Sequence, residues 1–178
     1  MMVLRSKTNR FRMLALLAVA GATLSACTPA PAPSPTPTAA FASEEEAFAA
    51  AEETYRAYND AGNARRDGDS EPDPQDYLVG NALEGDIDAL NKIRDAGVRL
   101  DGVVEVATFS GLEAILDSDP QQVIALVCLD LANTRILNDA DQDVTPDRVL
   151  IVAQEVTFTA IHGAPFISDE KSAEAALC

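Results

Sequence analysis

Tryptophan is absent from this 178-residue chain, histidine occurs once, at His162, and cysteine occurs three times. So little histidine leaves little room for nucleophilic triads or zinc chemistry, and no His/Cys cluster has metal-ligand spacing. There is no C-x-x-C pair for thiol redox work and no glycine-rich loop to grip phosphate. Lys and Arg are scarce as well, 13 against 29 Asp and Glu, for a net charge of −16. Nucleic-acid binding, which depends on basic side chains neutralising phosphate, is excluded as a function class. No motif asks for a cofactor or a resident metal. Asp139, Asp141 and Asp143 echo the start of a calcium loop, but Val144 stands where that loop needs Gly and Leu150 where it needs Glu. That stretch reads as an acidic connection between strands.

Long apolar runs are also missing. The longest, residues 13–24, has 12 residues, whereas a helix crossing a ~30 Å hydrocarbon core needs roughly 20. Arg5, Lys7, Arg10 and Arg12 precede it, and no acid comes before Glu44. A basic front, a short apolar centre and small residues at the exit describe a secretory signal peptide over residues 1–26.

The exit, Leu24-Ser25-Ala26-Cys27, resembles the lipobox of bacterial lipoproteins. That resemblance implies a diacylglyceryl thioether on Cys27, cleavage just before it, and a chain held at the outer face of the cell membrane. One acyl chain, at ~0.8 kcal/mol per buried CH₂, binds a bilayer only marginally, while two hold. Cleavage there would remove four basic residues and no acid. The exported chain would carry nine basic against 29 acidic residues, a charge of −20. Such a charge disfavours adsorption to anionic lipid. It admits a cationic partner or a divalent metal, and a plain solvated acidic surface accounts for it as well. After Cys27 comes a tether, residues 28–40, in which five of 13 residues are proline. It favours extended polyproline II, with a reach of roughly 40 Å.

Residues 41–178 suffice for one domain with its own core. Ser43 followed by Glu44, Glu45 and Glu46 is a capping box. Phe48, Ala51, Tyr55 and Tyr58 then recur at helical spacing, predicting a helix to about residue 61. This aromatic stripe is core-forming, with lining of a ligand pocket as the other role for Tyr55 and Tyr58. Residues 61–76 read as a charged loop and 77–79 as a short turn. A second helix is expected over 81–96, with Leu83, Ile87, Leu90 and Ile93 on one face and Gly97 as its stop. Strands follow at 103–109, 121–133 and 149–161, with a short piece at 166–168 before a polar tail. The second strand is apolar on both faces, which predicts cover on both sides. In the third, Leu150, Val152, Val156 and Phe158 share one face, and Gln154 and His162 have the same parity.

Helices first and strands after predict an α+β fold. The order is similar to the cone-shaped fold of nuclear transport factor two and ketosteroid isomerase, a cystatin-like roll with helices packed on a curved antiparallel sheet. The chain also resembles lipoproteins of unknown function from high-GC Gram-positive bacteria that join a lipobox and a Pro/Thr-rich tether to such a domain. The resemblance carries no catalytic motif, so no active-site residue is transferred. It implies a pocket that Tyr55, Tyr58, Gln154 and His162 would line, His162 being otherwise a turn or rim residue. With Cys27 lipidated, Cys128 and Cys178 remain as an even pair in an oxidising compartment, and a disulfide between them is expected. The other reading is a free, buried Cys128. The expected function is a lipid-anchored, non-catalytic module binding a small apolar ligand or an envelope protein. The alternatives are a small isomerase or dehydratase using cavity carboxylates and His162, and a structural accessory subunit of an envelope complex.

Labelling of producing cells with a radioactive fatty acid should mark the wild-type protein and miss Cys27→Ala. Equal labelling of the two would defeat the anchor.

Overall fold

The computed structural model describes residues 40–178, so the leader, Cys27 and nearly all of the tether lie outside the described residues. The fold is α+β, with two helices packed on antiparallel sheet. No helix among the described residues is long and apolar enough to cross a membrane.

Helix α1 spans Glu44–Asp67. Its start follows the capping box: the Glu46 amide donates to Ser43 Oγ at 3.2 Å, and Glu46 accepts from the Ala42 amide at 2.8 Å. Its end lies six residues beyond the expected one. Gly62 does not stop the helix; Gly68 does, at φ 95°, with the Gly68 and Asp69 amides returning to the carbonyls of Arg65 and Ala64. Arg65 and Arg66 therefore occupy the last turn, where the helix dipole favours cations. A 3-10 turn, Pro74–Tyr77, leads into α2, Gly80–Asp95. On α2 the buried stripe is shifted from the expected one. Ala82 is buried and Ile87 is 43% exposed, while Asp86 is turned inward.

Six strands follow: β1 Val98–Gly102, β2 Glu105–Ile115, β3 Gln122–Asp130, β4 Thr134–Asn138, β5 Ile151–Ile161 and β6 Ala164–Ala173. The expected strand over 121–133 ends at Asp130, and β4 leaves to pair with β1. Leu150, expected on the inner face, precedes β5 and is exposed. β6 has 10 residues, against the short piece expected at 166–168; its charged second half carries no apolar alternation to reveal it.

The main sheet has the order β2-β3-β5-β6, antiparallel throughout. Its inner face buries Val123, Ala125 and Val127 of β3, Val156 and Phe158 of β5, and Ile167 of β6 against Ala47, Ala51 and Tyr55 of α1. Tyr55 is the largest fully buried side chain among the described residues, its ring meeting Phe158 and Phe109 at 6.5 Å each. The outer face is less covered than expected. Ile124 and Leu126 are half-buried, and the C-terminal tail covers only the neighbourhood of Cys128. The edge strand β2 carries unpaired extra residues near Ala107 and Leu112, which blunt it against further strand addition. Gly111 of β2 lies under Phe48, whose ring would stand 2.4 Å from any β-carbon there.

Two long-range ties close the unit. Gln121, buried, accepts from the Phe41 amide at 2.8 Å and donates to the carbonyls of Leu116 and Phe41. Cys128 and Cys178 form a disulfide across 50 residues, with Cα atoms 5.7 Å apart.

Chain-entropy arguments give a loop of this length about 4 kcal/mol. Cys178→Ser should therefore lower the urea unfolding free energy by about 2–4 kcal/mol. An unchanged midpoint would show that the bond contributes nothing.

Candidate functional site

The expected pocket residues Tyr55 and Tyr58 lie on one face of α1, and Gln154 lies on the inner face of β5. The structure brings these three together. The Tyr55 hydroxyl donates to Gln154 Oε1 at 3.0 Å, and the two tyrosine rings meet edge-on at 5.7 Å. Beside them is a half-open cavity of about 150 Å³, lined also by Arg65, Arg66, Leu129, Leu131 and Glu170. Its wall at Gly62 bears no side chain, and an added β-carbon there would meet only the Arg66 guanidinium, at 3.7 Å.

His162 is not part of this group. With Gly163 it makes the two-residue turn between β5 and β6, at φ 52° and 88°, and its side chain is exposed. Two consecutive residues with positive φ suit a tight hairpin. β5 ends at Ile161, one residue before His162, so strand alternation does not extend to this side chain.

Glu170 comes from a local irregularity in β6. Thr157 pairs with Asp169 and Phe158 with Ile167, so Ser168 is an extra, unpaired residue. A bulge of this kind resets which side chains face inward. Ile167 and Glu170, three apart, both face the core side, Glu170 opposite Val156 and next to Gln154. Ser168 is held in place by its own hydrogen bonds, donating to the Thr157 carbonyl at 3.1 Å and accepting from Thr159 Oγ1 at 2.9 Å.

Burial pushes the Glu170 carboxyl up to about 7, with the charges of Asp86 and Asp169 adding to the shift and a hydrogen bond with Tyr58 opposing it. Burial likewise raises the Tyr58 hydroxyl well above the usual phenol range, and the Glu170 charge raises it further. Tyr55 is raised for the same reasons, burial first.

Next to the acid sits a closed ion pair. Arg65 donates twice to Asp86, at 2.6 and 3.0 Å, and Gln75 Nε2 donates to it at 3.0 Å. Burial would raise Asp86, but these hydrogen bonds and the guanidinium charge hold it below the usual carboxylate range. Arg66 donates to the Gly102 carbonyl at 3.2 Å and to Asn63 Oδ1. Burial, then the neighbouring Arg65 charge, lowers it.

No group of three or more His, Cys, Asp or Glu among the described residues could hold a metal ion. Asp141 turns to Arg99 at 2.7 Å and Asp143 accepts from the Thr145 amide at 2.9 Å, so the aspartates of this loop do not converge.

A carboxyl raised from 4.5 to about 7 binds its proton more tightly folded than unfolded. The folded state then loses stability as pH rises through that window. Glu170→Gln, which mimics the neutral acid, should leave the melting temperature nearly unchanged near pH 4.5 and raise it increasingly up to pH 7, with a plateau above. A gain independent of pH would place the ionisation elsewhere.

No family model matches this chain, and no curated protein does. Among solved structures it is similar to the crystal structure of the intermembrane space region of the chloroplast protein ARC6, with a TM-score of 0.49 and 13% identity. The match covers 70% of this chain and 95% of that one.

Proposed function

We propose that this chain is a cell-envelope lipoprotein, held by Cys27 at the outer face of the cell membrane, whose domain binds a small ligand without transforming it. The observation that carries the reading is the cavity beside Tyr58, Gln154 and Glu170, half-open, partly apolar, and fitted with a few convergent polar groups. At about 150 Å³ it is smaller than the roughly 300–1,000 Å³ of drug-sized sites, so the ligand has a handful of heavy atoms. Its mixed lining suits a molecule with one polar group better than a wholly apolar one. The leader, lipobox and tether supply the compartment part of this reading.

The enzyme alternative, of isomerase or dehydratase type, keeps one observation in its favour. A half-buried carboxyl with a pKa of about 7 beside a phenol is suited to moving a proton near neutral pH. His162, exposed on its turn, takes no part in it.

The test uses lipidated protein taken from native membranes and analysed intact by mass spectrometry. A small molecule should accompany the wild type. It should be lost from Gly62→Leu, whose side chain fills the cavity, with the fold verified by its melting curve. A stoichiometric protein partner without any small molecule would replace this reading with that of an accessory subunit.

A further inference from the structure

The two kinds of charge around the cavity are in different states. Both guanidinium groups that reach it are engaged, Arg65 with Asp86 and Arg66 with the Gly102 carbonyl and Asn63. Glu170, half-buried in the same lining, forms none of the salt bridges among the described residues. The titratable groups that bear on it are the Tyr58 hydroxyl from α1, Asp86 from α2 and its own neighbour Asp169 from β6. Asp169 is engaged with Lys171 on the opposite side of the strand. From β5 the neighbouring polar group is the neutral Gln154.

An anion entering this cavity would approach a carboxylate, with Arg65 already neutralised by Asp86 and only Arg66, bonded to neutral groups, left to attract it. A cation would find an acceptor without a counter-ion and the rings of Tyr55 and Tyr58 in the same lining, a setting in which ammonium groups are held by charge and by aromatic faces together. The net charge of −16 works in the same direction, concentrating cations at the surface and hastening their arrival.

We infer that the cavity binds a small organic ammonium ion, with Glu170 as its counter-ion and Tyr58 and Gln154 beside it. This rests on the ligand-binding reading above and names the class of ligand. Binding draws the carboxyl into its ionised form, so uptake near neutral pH releases a proton. The ionised fraction of a carboxyl with a pKa of about 7 falls roughly thirty-fold between pH 8 and pH 5.5, and affinity falls with it.

The experiment is an NMR titration of the isotopically labelled full chain with n-butylammonium, tetramethylammonium, butyrate and n-butanol at pH 8 and pH 5.5. One or both ammonium ions should shift the resonances of Gly62 and the Gln154 side chain at pH 8, and bind at least tenfold more weakly at pH 5.5. Glu170→Gln should abolish the response at both pH values while its melting curve shows an intact fold. Tyr58→Leu should weaken it severalfold. Butyrate binding that tightens with acid would overturn the cation assignment and leave the pocket reading standing. So would ammonium binding that survives in Glu170→Gln. Silence of all four probes at Gly62 and Gln154 would overturn the pocket reading along with it.

Discussion

One residue too many in a β-ladder cannot be paired, and the strand has to turn its following side chains to absorb it. Ser168 is that residue in β6. Had β6 run in plain alternation from Ile167, Asp169 and Lys171 would face α1, an ion pair buried at considerable desolvation cost. With the insertion, those two stay on the solvent side joined to one another, and of the three charged residues Asp169, Glu170 and Lys171 only Glu170 turns inward. The position of the single acid at the cavity follows from this shift, and its charge adds to the rise that burial already gives Tyr55 and Tyr58. The bulge is in turn pinned by hydroxyls, Thr159 to Ser168 and Ser168 to the Thr157 carbonyl.

How much of this was written plainly in the chain differs by element. The start of α1 was legible because Ser43 and the three glutamates state a cap in local chemistry. Its end was not, because Gly62 has the composition of a stop and the position of a pocket wall. Only packing distinguishes the two. The inward turn of Asp86 on α2 was hidden for a related reason: hydrophobic period assigns apolar residues to the core, and an aspartate enters it only when an arginine from elsewhere comes to meet it. The cysteine pair is expected only on the premise that Cys27 is lipidated and the compartment oxidising, and the structure joins Cys128 to Cys178. β6 was obscured by its charged second half, which resembles a solvated tail.

The site divides in the same way. Tyr55, Tyr58 and Gln154 follow from period and strand parity and do converge. His162 shares the parity but lies one residue past the strand, where the hairpin turn takes it. Glu170 had one available signal: an inward Ile167 after a two-residue turn, followed by Ser and then three charges, is an alternation that breaks, and a broken alternation beside hydroxyl residues is how a bulge reads in a sequence.

The pairing of Gln121 with Phe41 has a mechanical meaning. Residue 41 lies at the start of the described residues, and its backbone is fastened to the corner between β2 and β3. Force arriving along the chain from the N-terminal side is therefore taken up by that corner, and α1 is spared until the clamp gives way. Gly62 lies 18 residues along α1 from Glu44, about 27 Å at the helical rise. The α1 residues that line the cavity, from Tyr55 to Arg66, begin 11 residues beyond Glu44, and a pull on residue 41 reaches them only after that clamp opens.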